Sequence, residues 1–252
     1  MLCDFRVFLG RGFDGVSQTA DMLLGRMDSL GIQMAVACPL KPLSYDMEAA
    51  NAEMVKVIRP HSDRLVGAAR VDPWQPAACD MLLRGLESQG LRALYLDPWQ
   101  ESFRIHMDRL DPLMQMAQGH GVPVLVAAGY PWVSESLQVA GLAKRWPQVP
   151  IVMSNGGQLN ISGLGQSDAT LALRQASNLY IDTAGVYRQD FIERTITEFG
   201  PERVLFASGA PIFDQRYEIR RAEEVNADIP ARRALLGGNA LRLLAWSPLR
   251  MS

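Results

Sequence analysis

The stretch Val122-Pro-Val-Leu-Val-Ala-Ala128 is apolar at every position and is followed by Gly129. An unbroken apolar run of this length is typical of a parallel β-strand that is covered on both of its faces. Similar short runs recur on both sides of it along the chain: Leu2–Phe8, Ile32–Cys38, Leu65–Val71, Leu91–Leu96, Pro150–Ser154, Leu179–Asp182 and Arg203–Ser208. We therefore predict eight parallel strands.

Longer amphipathic segments separate these runs and predict helices. Gly90 suits the C-terminal cap of one helix, and Pro201 blocks the continuation of another. A closing helix pair is predicted within Ala231–Ala245, broken at Gly237 and Gly238. The other predicted helices are Ala49–Arg59, Pro76–Gln89, Leu110–Gly119, Glu135–Trp146, Asp168–Ala176 and Gln189–Phe199.

Strands that alternate with helices form either a closed (β/α)8 barrel or an open doubly wound sheet. Gly10-Arg-Gly-Phe-Asp-Gly15 has the spacing of a dinucleotide-binding loop, but it does not open directly into a helix. The count of eight strands and the 252 residues favour the closed barrel, which commonly needs about 250 residues. We predict an α/β protein with a single TIM-barrel domain over residues 1–252.

Charge and cysteine content exclude several classes of partner and compartment. The net charge is −2 and there is no run of Lys or Arg, so neither a nucleic-acid nor a membrane partner is expected. The spacing of Cys3, Cys38 and Cys79 fits neither a disulfide framework nor a zinc site. With no signal peptide evident at the N-terminus, we expect a cytoplasmic protein.

Glu218 lies in a charged stretch in which Arg and Glu residues alternate, including Arg216, Arg220 and Arg221. This pattern predicts a helix face that is exposed to solvent.

Active sites of α/β barrels are built at the C-terminal ends of the strands. The polar and aromatic side chains there are the candidate functional residues. They are Arg6, Phe8, Cys38, Arg70, Asp72, Tyr95, Asp97, Asn155, Asp182, Thr183 and Ser208.

Fragments in a fixed order carry a family resemblance: residues 61–73, 90–98, 121–129, 179–185, 200–211 and 236–244. Together they make the chain similar to the amidohydrolase-related family, which holds metal-dependent hydrolases and decarboxylases of the carboxymuconate-semialdehyde type. The similarity covers nearly the whole chain. It implies a TIM barrel with a catalytic metal at the strand ends.

The resemblance also implies where the ligands of that metal would lie. The family's His-x-His pair falls on Arg6 and Phe8, two further His positions fall on Ala127 and Asn155, and an Asp position falls on Gly209. Three of these residues offer no ligand atom, Asn155 offers one neutral oxygen, and a guanidinium stays protonated. We therefore expect the metal site to be lost, and we expect no cofactor.

The charged candidates have more than one interpretation. Arg6 could bind a carboxylate or phosphate, or it could form a buried ion pair with Asp97 or Asp182. Asp97 and Asp182 could be catalytic acids or bases, or they could be structural. His106 is the one histidine expected on the active face, although an exposed loop position would also explain it.

Further side chains could contact a ligand, and the candidates are Tyr95, Trp99, Trp132, Asn155 and Ser208. Trp74, Tyr130 and Tyr187 would add to an aromatic mouth, which could be a ligand-binding rim or a subunit interface. Cys38 is predicted to be a small buried hydrophobic residue.

Three hypotheses follow from this pattern. The first is a pseudoenzyme that binds a small anionic or aromatic molecule or pairs with a catalytic homologue. The second is a metal-independent hydrolase, isomerase or decarboxylase that uses Arg6 with Asp97, Asp182 or His106. The third is a structural subunit of a hetero-oligomer. Partners would then be a small molecule, a second copy of the chain or an active homologue.

Overall fold

The computed structural model describes residues 1–159 and 163–245 of the chain. Each of the eight predicted apolar runs overlaps one strand, and a short additional strand follows the first. The strands are β1 Cys3–Arg11, β2 Ser17–Gln18, β3 Met34–Pro39, β4 Leu65–Arg70, β5 Ala93–Leu96, β6 Val124–Val126, β7 Ile151–Met153, β8 Leu179–Asp182 and β9 Val204–Leu205.

The helices occupy the amphipathic segments between the strands. They are α1 Ala20–Leu30, α2 Met47–Ile58, α3 Ala78–Glu87, α4 Asp111–His120, α5 Ser136–Arg145, α6 Gly163–Gln175, α7 Gln189–Phe199, α8 Gln215–Glu223, α9 Ile229–Arg233 and α10 Asn239–Leu243. A π-helical turn, Ala234–Gly238, joins the last two, where the sequence predicts a break. Within the residues described, no helix has the length and apolar character needed to cross a membrane.

The strands form one sheet whose first and last parallel members meet. The order is β2-β1-β3-β4-β5-β6-β7-β8-β9, and every neighbouring pair is parallel except β1 with β2. The seam is closed by backbone hydrogen bonds from Phe5 N to Phe206 O (2.9 Å), from Gly209 N to Arg6 O (2.9 Å) and from Phe8 N to Ala210 O (2.7 Å). The predicted (β/α)8 barrel is therefore confirmed.

Alternation along the strands divides the core into two layers. One apolar cluster lies between the sheet and the helices, for example Leu94 of β5 with Leu82 of α3. The other fills the barrel and includes Val66, Ala68 and Ala93. Because side chains two residues apart lie on the same face of a strand, inward positions near the C-terminal strand ends carry polar side chains: Arg70, Tyr95, Asp97 and Asp182.

A bulge in β1 changes which of its residues point inward. The pairing register between β1 and β3 shifts between Asp4 and Val7. Phe5 and Phe8 both belong to the cluster inside the barrel, although a regular strand would place them on opposite faces. The extra residue brings Arg6 into the interior next to Phe8, which gives the N-terminal strand an inward charge.

One prediction about α8 needs correction. Arg216 and Arg220 are exposed as expected, but Glu218 is buried. Its Oε2 accepts a hydrogen bond from Gly185 N (3.2 Å), and Arg221 lies 3.3 Å away. Glu218 is buried because α8 packs this face against the loop after β8, a contact that the charge pattern alone does not reveal.

Candidate active site

Arg6 forms a buried ion pair with Asp182 at the C-terminal end of the barrel. Its Nε lies 2.7 Å from Asp182 Oδ2, and its Nη2 lies 3.3 Å from Oδ1 and 3.1 Å from Asn155 Oδ1. Both charged side chains are almost fully buried. Burial alone would lower the pKa of Arg6, but the Asp182 carboxylate outweighs it and raises the pKa above its ordinary value. The guanidinium is therefore permanently charged.

The Asp182 carboxylate accepts hydrogen bonds from three residues. Besides Arg6, its Oδ1 accepts hydrogen bonds from the backbone N–H groups of Asn155 (2.8 Å) and Ala184 (3.2 Å). Asn155 has a left-handed backbone with φ of 56°, and this conformation turns both its amide N–H and its side chain toward the ion pair. Of the two partners considered for Arg6, the structure selects Asp182 rather than Asp97.

One nitrogen of Arg6 remains unused by this network. Among the described residues, all of the Arg6 side-chain hydrogen bonds come from Nε and Nη2. Nη1 lies beside Gly209, where an added Cβ would be 3.5 Å from it. An added Cβ there would also lie 3.0 Å from Phe213 Cδ2 and 3.3 Å from Ala184 Cβ, so Nη1 is a charged donor in a closely packed part of the interior.

A second group of buried charges surrounds Arg70. Its Nη2 lies 2.7 Å from Glu101 Oε1, 2.5 Å from Gln100 Oε1 and 3.6 Å from Asp97 Oδ2. Asp97 Oδ2 also accepts a hydrogen bond from the Tyr95 hydroxyl (3.0 Å). Arg70 thus ties the end of β4 to the loop after β5, and Asp97 belongs to this group and not to that of Arg6.

Glu101 is a buried acid that was not among the predicted site residues. Its Oε1 binds Arg70, whereas Oε2 is buried without a hydrogen-bond partner in the described part of the chain. Burial raises the pKa of Glu101 to about 7, although Arg70 and Lys41 pull it down. Glu101 lies in a loop with no periodic pattern, so the sequence gives no signal of its burial.

An aromatic pair connects the two charged groups. The rings of Phe8 and Tyr95 meet edge to face with centroids 5.6 Å apart. Arg6 Cζ lies 5.6 Å from the centre of the Phe8 ring, and Arg70 Cζ lies 5.3 Å from that of Tyr95. Burial raises the pKa of Cys38 to about 12 despite both arginines, so Cys38 stays a neutral thiol.

Two predicted site residues lie apart from the Arg6 group. The Ser208 hydroxyl donates to Asp4 Oδ2 (2.5 Å), and its N–H donates to Asp4 Oδ1 (2.8 Å), so this fully buried side chain is used inside the fold. His106 is exposed, and its carbonyl accepts a hydrogen bond from Arg145 at the end of α5 (3.3 Å). Asp4 was missed, and burial raises its pKa to about 6.

The predicted aromatic residues form an outer rim. Trp99 stacks on Tyr130 with ring centroids 5.5 Å apart, and Trp132 is 72% exposed. Trp74 and Tyr187 are also exposed. The tryptophans and Tyr187 of the rim therefore lie at the surface, whereas Tyr130 packs against the cluster inside the barrel.

The strand-end residues do not fit the divalent cation that the resemblance implies. Within residues 1–159 and 163–245, no three His, Cys, Asp or Glu side chains lie together in a group able to hold a metal. Arg6 places a fixed positive charge among these strand ends, and the Asp182 carboxylate is already bound to this guanidinium in an ion pair. Phe8 and Ala127 are buried apolar residues.

Several solved structures have the same fold. They include 5-carboxyvanillate decarboxylase from Sphingomonas paucimobilis (17% identity, covering 98% of this chain and 99% of that chain, TM-score 0.75). A 2,6-dihydroxybenzoate decarboxylase complexed with 2,6-dihydroxybenzoate is 16% identical over 97% of this chain and 98% of that chain, with a TM-score of 0.79. An uncharacterized TIM-barrel protein from Bordetella bronchiseptica is 20% identical over 97% and 98%, with a TM-score of 0.78.

No curated protein matches the chain. At these identities the solved structures establish the fold alone. The family model described as Amidohydrolase matches residues 39–246, which is most of the sequence. The chain therefore belongs to the amidohydrolase family.

Proposed function

We propose that this chain is a pseudoenzyme of its family that binds a small aromatic carboxylate at the C-terminal end of the barrel. The observation that carries the proposal is the geometry of the Arg6 guanidinium. Asp182 and Asn155 hold it in place through Nε and Nη2, and Nη1 lies beside Gly209. The Nη1 N–H groups of a fixed guanidinium are good partners for a carboxylate oxygen, because a hydrogen bond between two charged groups is stronger than a neutral one.

The surroundings of Arg6 favour an aromatic ligand. Phe8 and Tyr95 line the interior next to the two guanidinium groups. Two of the solved structures with this fold are decarboxylases named for aromatic carboxylates, 5-carboxyvanillate and 2,6-dihydroxybenzoate. We propose aromatic carboxylates as the ligand class of this chain, and we do not propose that the chain decarboxylates them.

The groups that would catalyse a metal-independent reaction have other partners. Asp182 is bound by Arg6 and by two backbone amides, and Asp97 by Tyr95 and Gln100 N. His106 lies on an exposed loop. A general acid or base has to reach the reacting atom, and this arrangement therefore supports binding more than turnover.

Titration calorimetry with 2,6-dihydroxybenzoate tests the binding site. We expect saturable binding that Arg6→Gln abolishes and that Arg59→Gln, a change at an exposed arginine after α2, leaves unaltered. Asn155→Asp keeps a residue that tolerates the left-handed backbone and adds a negative charge beside Arg6. This variant should weaken binding roughly tenfold. It provides a second test of the site if Arg6→Gln does not fold.

The same protein preparation tests the loss of activity. We expect no stoichiometric Zn, Mn or Fe after purification and no loss of carboxylate from the bound molecule over hours. A tightly held metal that supports decarboxylation or hydrolysis would refute the pseudoenzyme. Binding that is equal in the Asn155→Asp and unmodified proteins would refute the Arg6 site.

A further inference from the structure

A cavity lies on the rim of the barrel, outside the Arg6 group. It has a volume of about 560 Å³, within the range of small-molecule sites. It lies where three consecutive loops meet, those after β4, β5 and β6. The side chains that line it are Trp74, Trp99, Phe103, Arg104, Met107 and Val133.

The aromatic walls of this rim cavity are fixed in place. The Trp74 indole N–H donates to the carbonyl of Ser102 (3.2 Å), and Arg109 Cζ lies 5.1 Å from the centre of its ring. Tyr130 stacks on Trp99. Phe103, which also lines the cavity, is buried. Walls that are already ordered lose little conformational entropy when a ligand binds.

The loops themselves are joined around the cavity. Ile105 N donates to Val133 O (2.8 Å), which links the loop after β5 to the loop after β6. Ser102, which accepts from Trp74, has a left-handed backbone with φ of 56°. A non-glycine residue in this conformation costs free energy, so its position is imposed by the packing around it.

The charge of the rim cavity is positive. Arg104 is exposed, and in the part of the chain that the structure describes no carboxylate lies within ion-pair distance of it. The lining contains no Asp or Glu. Trp74 and Trp99 are about half exposed (47% and 52%), so two large apolar surfaces face solvent beside an unneutralised cation. A planar aromatic ring with an attached anionic group matches both features.

We propose that the rim cavity is a second ligand site, which takes a planar aromatic anion with its ring against Trp74 and Trp99 and its charge on Arg104. The proposal is independent of the Arg6 site, because the two sites share no residue.

Binding of 2-naphthoate, followed by the indole N–H signals of Trp74 and Trp99 in heteronuclear NMR spectra, tests it. The Trp74→Phe and Trp99→Phe variants assign the two signals. We expect both to shift saturably, and the neutral 2-naphthylmethanol to bind roughly fivefold more weakly, because it lacks the charge for Arg104.

Variants separate this site from the Arg6 site. Arg104→Gln should weaken 2-naphthoate binding roughly fivefold and leave 2-naphthylmethanol unaffected, since only the charge is removed. Arg59→Gln should leave the shifts of the Trp74 and Trp99 signals with both probes unaffected, and Asn155→Asp, which acts on the Arg6 site, should leave these two rim signals unaffected as well. Equal binding of the two probes, equal binding by Arg104→Gln, or loss of the shifts in Asn155→Asp would overturn the proposal.

Discussion

At the scale of single residues, the buried charges are the main feature of this barrel. Arg6 could be identified from the sequence as an inward strand-end residue, but its partner could not. Asp97 and Asp182 both occupy inward positions at strand ends, and no local pattern shows that Arg6 pairs with Asp182 while Arg70 lies beside Asp97. The burial of Glu101 and Asp4 could not be predicted, because burial of an acid depends on packing between segments that are distant in the chain.

Breaking the Arg6–Asp182 pair should be costly. Arg6→Met leaves the Asp182 carboxylate buried without its cation, and we expect a loss of about 3–5 kcal/mol in unfolding free energy. Urea denaturation measures it. The double variant Arg6→Met with Asp182→Leu removes both charges and should recover most of the loss. A double variant no more stable than Arg6→Met would show that the pair itself is not the cause.

Glu101 should make stability depend on pH. Burial raises its pKa from 4.5 to about 7, so the folded protein holds a proton that the unfolded chain releases between these values. The resulting stability is present below pH 4.5 and is lost as the pH rises through 7. Each unit of pKa shift corresponds to about 1.4 kcal/mol.

The Glu101→Gln variant tests this dependence. It cannot release a proton, so its unfolding free energy should fall less than that of the unmodified protein over the same interval. Asp4 titrates in an overlapping range and is common to both proteins, so the difference between them reports Glu101. Parallel pH profiles would contradict the prediction.

At the scale of elements, the strands and most helices follow from local patterns. Helix α1 was not among the predicted helices, although Thr19 caps its N-terminus and Gly31, with φ of 68°, ends it. Both are recognisable helix signals. The bulge in β1 could not be predicted, because it is defined by pairing with β3 and leaves the apolar run unbroken.

Gly129 should be essential to the loop after β6. Its φ is +88°, and an added Cβ would lie 2.5 Å from the backbone of Gln158. Gly129→Ala should therefore cost roughly 2 kcal/mol or more in unfolding free energy. Gly141→Ala, on the exposed face of α5 with nothing within 4 Å, should instead stabilise by up to about 1 kcal/mol. Thermal denaturation of both variants checks the contrast, and equal effects would contradict it.

At the scale of the whole molecule, the count of eight runs and the chain length predicted the barrel, but not its seam. Closure depends on three hydrogen bonds between β1 and residues 206–210, which are separated by nearly the full chain. No local pattern specifies such a contact. It follows only from the number of strands and the curvature that they share.

Hydrogen exchange tests the seam. We expect the amide protons of Phe5, Phe8 and Gly209 to exchange only through global unfolding, because each is bonded across the closed barrel. The exposed amide of Ser17 in β2, at the end of the sheet order, provides the comparison and should exchange much faster. Fast exchange at Phe5 and Gly209 would indicate an open sheet.

The Arg6 cation at the C-terminal end of this barrel is part of the polypeptide. A metal ion must be acquired from the cell, can be exchanged for a competing ion and can be removed by a chelator. The guanidinium of Arg6 is supplied by translation, is present in every copy and cannot be lost without mutation. Under the proposed function, ligand binding would therefore be independent of metal supply, and the protein would remain competent when metal-dependent proteins of its fold are starved of their ions.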